Sequence, residues 1–160
     1  MRLAIIGLGK MGANMARRLC RNGIEVVGYN RSPGIVDELA REEGILPAKN
    51  LAEAVQQLKP PRVVWLMLPS GRPTEEYVDE LRDLLDSGDV VVDGGNSNYC
   101  DSERRGAELA RAGIEFSDAG TSGGVWGLDN GYCLMVGGSN QAIAAIEPAL
   151  KALAPSPDKG

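Results

Sequence analysis

The sequence predicts an α/β domain: a doubly wound, largely parallel sheet with helices on both faces. Three observations point to it. Short apolar runs alternate with helix-length amphipathic stretches along all 160 residues, the order that crossover connections produce. The runs are nearly continuous, as in Val63-Val64-Trp65-Leu66-Met67, which suits strands covered on both faces. The first run passes directly into a glycine-rich turn, Gly7-Leu8-Gly9-Lys10-Met11-Gly12, and a helical pattern follows.

In chain order, a strand is expected over Arg2–Ile6 and a helix over Lys10–Arg21, ended by Asn22-Gly23 because glycine accepts the left-handed backbone after a last turn. A strand over Glu25–Tyr29 leads to a helix over Pro33–Glu43, with Ser32 as a cap before a proline at the first helical position. A helix over Leu51–Leu58 begins with Asn50 and Glu53 spaced as a capping box. Next come a strand over Arg62–Met67 and a helix over Thr74–Leu85, whose Pro73, Glu75 and Glu76 suit a first turn. A strand over Val90–Asp93, a helix over Asp101–Ala112, strands over Glu115–Asp118 and Cys133–Val136 and a helix over Gln141–Leu153 complete the order. Pro155 to Gly160 reads as a linker or loop. No internal repeat or low-complexity segment interrupts the pattern.

The length suits one domain. Hydrophobic residues make up 43% and aromatic residues only 4%, so the core must be aliphatic. A net charge of -5 argues against nucleic acid, whose affinity comes mainly from Lys and Arg on phosphates. It leaves room for a small anion held by a local positive field. Cys20, Cys100 and Cys133 are odd in number and widely spaced, which speaks against a disulfide framework or a zinc site; no metal is expected. The start lacks the basic, long apolar profile of a signal peptide. No run reaches the roughly 20 apolar residues of a membrane span. A cytoplasmic protein with free thiols and no membrane contact is expected. The chain has no histidine, so no histidine base or ligand can come from it.

The glycine turn is informative because of where it stands. A strand, G-x-G-x-x-G and a helix together form the dinucleotide cradle of Rossmann-type domains. Gly7 permits the tight turn, Gly9 lets the backbone approach a pyrophosphate, and Gly12 lets the helix pack closely on the strand. The helix start then offers free N–H groups and a positive dipole end. Lys10 adds charge or is simply solvated. The end of the second strand decides between cofactors. NAD binders place Asp or Glu there to hold the ribose hydroxyls, whereas this chain reads Tyr29-Asn30-Arg31-Ser32. Neutral Asn30 does not repel a 2′-phosphate. Arg31 can pair with that phosphate and lie over the adenine, and Ser32 can donate a further hydrogen bond. The alternative is that Ser32 only caps the next helix and Arg31 is a solvated charge. NADP is expected ahead of NAD.

Two polar clusters follow later strands: Asp93-Gly94-Gly95-Asn96-Ser97 and Gly120-Thr121-Ser122-Gly123-Gly124. Open α/β sheets bind ligands beyond such strand ends. Taken with Gly7 to Gly12, Asn30-Arg31-Ser32 and Gly131-Tyr132-Cys133-Leu134-Met135-Val136-Gly137-Gly138, they resemble the decarboxylating 6-phosphogluconate dehydrogenases, in order and over essentially the whole chain. Gly-Val-Trp-Gly after the serine-glycine-glycine resembles the shorter bacterial members. The 3-hydroxyisobutyrate and other β-hydroxyacid dehydrogenases share the fold and a similar serine-glycine loop but usually lack Asp-Gly-Gly-Asn-Ser.

The resemblance implies that Gly7, Leu8, Gly9, Lys10, Met11 and Gly12 line the pyrophosphate, and that Asn30, Arg31 and Ser32 face the adenosine ribose and its phosphate. It also implies that Leu68, Pro69 and Ser70 pass beside the riboses, although the family often has Val-Lys-Ala there. Asn96 would touch cofactor and substrate, and Ser122, Gly123 and Gly124 would grip the substrate carboxylate. Trp65 and Trp126 are read as packing residues. The implied reaction oxidises the 3-hydroxyl of 6-phosphogluconate, releases carbon dioxide from the 3-keto acid, and protonates the resulting enediol to ribulose 5-phosphate. The family's base and acid, a lysine and a glutamate, belong to a helical domain beyond Gly160, which also supplies most of the substrate phosphate site and the dimer interface. Residues 1–160 are therefore expected to be the cofactor domain alone, with no catalytic residue of their own and no activity as a fragment. The alternatives are the cofactor domain of another β-hydroxyacid dehydrogenase, a non-catalytic nucleotide-sensing module, or a flavin or methyl-donor domain that shares only the first motif.

Overall fold

A computed structural model of the chain describes residues 1–159. It alternates β1 (Arg2–Ile6), α1 (Lys10–Arg21), β2 (Glu25–Tyr29), α2 (Gly34–Glu43), β3 (Leu46–Pro47), α3 (Leu51–Gln56), β4 (Val63–Leu66) and α4 (Arg72–Leu84). There follow β5 (Val90–Asp93), α5 (Tyr99–Arg111), β6 (Glu115–Ser122), a short 3-10 turn (Gly124–Trp126), α6 (Gly127–Asn130), β7 (Cys133–Gly138) and α7 (Asn140–Leu153). The sheet order is β3-β2-β1-β4-β5-β6-β7. Its first six strands run parallel and β7 closes the edge antiparallel to β6.

Successive strand residues point to opposite faces, and here both faces are apolar. Leu3 and Ile5 join α1, α2 and α7 in one core, where Met15, Leu19, Leu39, Ile146 and Leu153 are buried. Ala4 and Ile6 join α3, α4 and α5 in the other, with Val55, Val78, Leu81 and Leu109. The chain is doubly wound because β1 pairs with β2 on one side and with β4 on the other. The crevice between β1 and β4 is thereby the switch point where such sheets take their ligands. No helix is long and apolar enough to cross a membrane among the described residues.

Local signals account for most boundaries. The Ile24 N–H donates to the Leu19 carbonyl at 3.0 Å and the Gly23 N–H to the Cys20 carbonyl at 3.1 Å, the two bonds of a Schellman ending. Asn50 Oδ1 accepts from the Glu53 N–H at 2.8 Å, one half of the expected capping box. Other expectations need correction. Ser32 does not cap α2: Pro33 takes the cap position in helical backbone and no side chain closes the start. β6 runs four residues past Asp118, because β7 pairs with it from Ser117↔Gly138 to Ser122↔Cys133 and supplies ladder partners to a stretch that reads as loop. α5 begins at Tyr99, capped by Asn98. The two-residue β3 and the four-residue α6 are too short to show a period. Trp65 is buried in the core, but Trp126 is 71% exposed.

Glu75 ties α4 to α5. Its carboxylate accepts from Arg104 at 2.6 and 2.9 Å and from Arg105 Nε at 2.9 Å. The Arg104 hydrogen bonds, then that of Arg105, lower its pKa from 4.5 to about 2 against the opposing effect of partial burial. A carboxylate whose pKa is lower in the folded chain adds stability above its unfolded pKa, and that stability is lost as pH falls toward the folded value. Glu75→Gln should cost about 1–2 kcal/mol at pH 7, given that the group is partly exposed, and the difference should vanish between pH 4.5 and pH 2. Thermal melts of both proteins across that range check it; a gap that persists at pH 2 would count against the ion-pair account.

Candidate functional site

The site is assembled at the carboxyl edge of the sheet, where registers Ile6↔Leu66, Leu66↔Asp93 and Asp93↔Asp118 bring the ends of β1, β4 and β5 level with the middle of β6. At the β1 end, Gly7 has φ +94°, a backbone that disfavours any side chain. Its N–H donates to the Tyr29 carbonyl at 2.9 Å. A Cβ on Gly7 would overlap the Met67 carbonyl, and one on Gly12 would overlap the Gly7 carbonyl. Both positions are thus closed to any larger residue. Gly9 differs: it is the cap residue of α1, no side chain caps the helix, and its Cβ direction is empty within 4 Å. The first-turn N–H groups of α1 therefore stand without an intrahelical partner at an open surface, the condition for holding a phosphate. Lys10 is exposed beside them, whereas Leu8 is buried and Met11 packs against the core. These last two can serve a ligand only through backbone.

At the β2 end, the Asn30 side chain is already engaged. Its Oδ1 accepts from the Leu8 N–H at 2.9 Å, and its amide donates to the Ser32 carbonyl at 3.1 Å. Asn30 thus braces the glycine turn against the end of β2. Arg31 and Ser32 are exposed. Arg31 stands between two cavities. The first, of about 300 Å³, is lined by Gly7, Tyr29, Leu68, Pro69, Arg72 and Tyr77 among others. The second, of about 410 Å³, lies toward β3 and includes Lys49 and Glu53. Leu68 and Pro69 meet the expected neighbourhood. Ser70 is exposed and does not line either cavity.

The loop after β5 is held from behind. Asp93 is buried; its Oδ1 accepts from the Gly95 N–H at 2.9 Å and its Oδ2 from the Ser97 hydroxyl at 2.5 Å. Arg105, 1% exposed, donates to Asp93 at 3.3 Å and to Ser97 Oγ at 3.0 Å. This network holds Asn96 at φ +56°, unusual for a non-glycine residue, with its Oδ1 accepting from the Thr121 N–H at 3.3 Å. That bond joins the Asp93–Ser97 loop to the far end of β6. Ser122 and Gly124 are exposed there. Gly123, at φ +156°, is pinned, since a Cβ would come within 2.9 Å of the Tyr132 ring. The folded chain therefore gathers the expected residues along one edge. Sequence reasoning missed Arg105, Arg72 and Tyr77; Arg105 follows an ordinary helical spacing, and nothing local sets Arg72 or Tyr77 opposite Arg31.

Residues 2–157 match the family model described as the NAD binding domain of 6-phosphogluconate dehydrogenase. The decarboxylating 6-phosphogluconate dehydrogenase of Haemophilus ducreyi is 38% identical over 161 residues, covering 98% of this chain and 33% of that protein. A solved Plasmodium falciparum 6-phosphogluconate dehydrogenase, described with NADP+ and with 6-phosphogluconate, superposes with a TM-score of 0.91 at 28% identity over 99% of this chain and 35% of its own. A Mycobacterium tuberculosis 3-hydroxyisobutyrate dehydrogenase superposes at 0.86 and 27% identity, over 96% of this chain and 52% of its own. The chain spans between a third and a half of the length of the curated relatives it matches.

Gly9 and Gly12 should separate under substitution. Gly12→Ala should destabilise the fold by about 2 kcal/mol or more, because the Cβ has no room. Gly9→Ala should cost within about 1 kcal/mol, the loss of a glycine at a helix cap, yet weaken NADP+ binding by occupying the open approach. Melting temperatures and NADP+ titrations on both variants check this. An equal loss of stability in the two would make Gly9 a packing residue.

Proposed function

Because the chain belongs to the family of 6-phosphogluconate dehydrogenase NAD-binding domains, we propose that it is the NADP-binding part of an enzyme that oxidises and decarboxylates 6-phosphogluconate to ribulose 5-phosphate. The observation that carries the reading is the shared edge: an uncapped helix start at Gly9, a strand end with Arg31 in place of a carboxylate, and Asn96 tied to the β6 end beside Ser122.

The residues divide the work in space. The backbone N–H groups of Lys10, Met11 and Gly12 receive the pyrophosphate, with Gly9 leaving the approach open. Asn30 holds the turn through Leu8 and adds no negative charge near the adenosine ribose. Arg31 and Ser32, both exposed, offer donors to a 2′-phosphate. Bound nicotinamide supplies the hydride acceptor. Asn96 stands between the cofactor loops and the β6 end, where the Ser122 hydroxyl and the backbone around Gly124 can receive a carboxylate. The reading assigns the base, the acid, the substrate phosphate site and the dimer contacts to the part of such proteins that lies outside the matched stretch. It places the protein in the cytoplasm. A second reading, the cofactor domain of a 3-hydroxyisobutyrate-type enzyme, is supported by the M. tuberculosis neighbour.

Binding and turnover test the proposal together. Arg31→Ala should weaken NADP+ by about ten- to hundredfold, as for a lost hydrogen-bonded charge, and NAD+ far less. In a longer protein carrying this chain, Ser122→Ala should raise the KM for 6-phosphogluconate with little change in that for NADP+. Gly123→Val is a poor probe, since it strains the backbone against Tyr132. The 160-residue chain alone should form no NADPH from 6-phosphogluconate, because an acid and a base each supply roughly 10²–10⁴-fold. Preference of the longer protein for 3-hydroxyisobutyrate would favour the second reading, and turnover by the chain alone would place the catalytic groups within it.

A further inference from the structure

Two guanidinium groups border the 300 Å³ cavity on the α4 side of Arg31. One is Arg31 itself. The other is Arg72, the first residue of α4, set there by Gly71 at φ +92° and followed by Pro73. Arg72 is 89% exposed, and its Nε donates to Glu76 Oε1 at 2.9 Å, one helical turn along. Glu76 borders the same cavity. The walls are the rings of Tyr29 and Tyr77, 6.5 Å apart between centroids and tilted by 46°, together with Leu68 and Pro69. Of the two cavities beside Arg31, only this one is also lined by Gly7, so it alone is continuous with the phosphate turn. Lys49, the cation of the other cavity, is on the far side of Arg31.

Resting on the reading that the chain binds a dinucleotide here, we propose that Arg72 is a second cation for the adenosine 2′-phosphate, and that Glu76 holds it in reserve until the phosphate arrives. The exchange is favourable on magnitudes. An exposed pair one turn apart on a helix is weakly held, since water screens both charges. A phosphate carries up to two negative charges near neutral pH and accepts two parallel guanidinium hydrogen bonds. Glu76 also sets specificity in the other direction: without a 2′-phosphate Arg72 stays with its carboxylate partner, so NAD+ gains nothing from it.

The test is a titration of NADP+ and of NAD+ into the chain and into Arg72→Ala, Arg72→Lys and Glu76→Gln, with circular dichroism melts to verify folding. Arg72→Ala should weaken NADP+ by about tenfold and leave NAD+ within about twofold. Arg72→Lys should fall between the two, since lysine keeps the charge without the planar fork. Glu76→Gln should tighten NADP+ by about twofold, the size of the lost competing pair, with NAD+ unchanged. Equal shifts for both dinucleotides in Arg72→Ala, or no shift in either, would overturn the role of Arg72 while the cofactor reading stands. A wild-type chain that binds neither dinucleotide would overturn both.

Discussion

In the first turn of α1 Gly12 meets the carbonyl of Gly7, and the site is built outward from that contact. With no side chain between them, the helix comes close enough to the sheet edge for its uncapped first turn to open on the switch point between β1 and β4. The glycine turn is then tied to the next strand by backbone, Gly7 to Tyr29, and by side chain, Leu8 to Asn30. A ligand at the helix start and a ligand group beside Arg31 would in this way be held by one rigid piece of chain. Preorganisation of that kind spares the ordering cost that a flexible loop incurs on binding.

The other half of the edge depends on a buried charge. Arg105 and Asp93 are almost fully enclosed, and an isolated ion there would be strongly unfavourable. Each is satisfied: Asp93 by Gly95, Ser97 and Arg105, and Arg105 by Asp93, Ser97 and Glu75. The network fixes the turn that holds Asn96 in left-handed backbone against Thr121. Gly94 and Gly95 close the arrangement, because a Cβ on either would strike Met67 or Leu68 of the loop after β4. The loops after β4, β5 and β6 thus share one packing solution.

Electrostatics explain how a chain of net charge -5 can receive a polyanion. The acidic side chains are largely spent in surface pairs on the helices, such as Glu38 and Glu42 with Arg17, Glu43 with Arg21, and Glu75 with Arg104. At the carboxyl edge stand the α1 start, Lys10, Arg31 and Arg72. Local field, not net charge, decides small-anion binding over distances near a Debye length.

What the sequence determined by itself was everything local or periodic: the strand, turn and helix through Gly12, the two-sided apolar strands that imply covering helices, and the Asn22-Gly23 and Asn50 helix ends. It also held the absence of a carboxylate after Tyr29, which bears on cofactor choice without any folding. Tertiary structure decided the rest because it depends on partners distant in the chain. Ser32 lost its capping role to Pro33, which already holds helical backbone. β6 extended to Ser122 only because β7 pairs back along it. Trp126, read from the sequence as a packing residue, stands exposed. Asn30 turned out to be bonded to Leu8, and Arg72 came to face the cavity of Arg31 only when β4 took its place beside β1. A hydrogen-bond ladder and a shared cavity are properties of two segments at once, and no spacing within either segment encodes them.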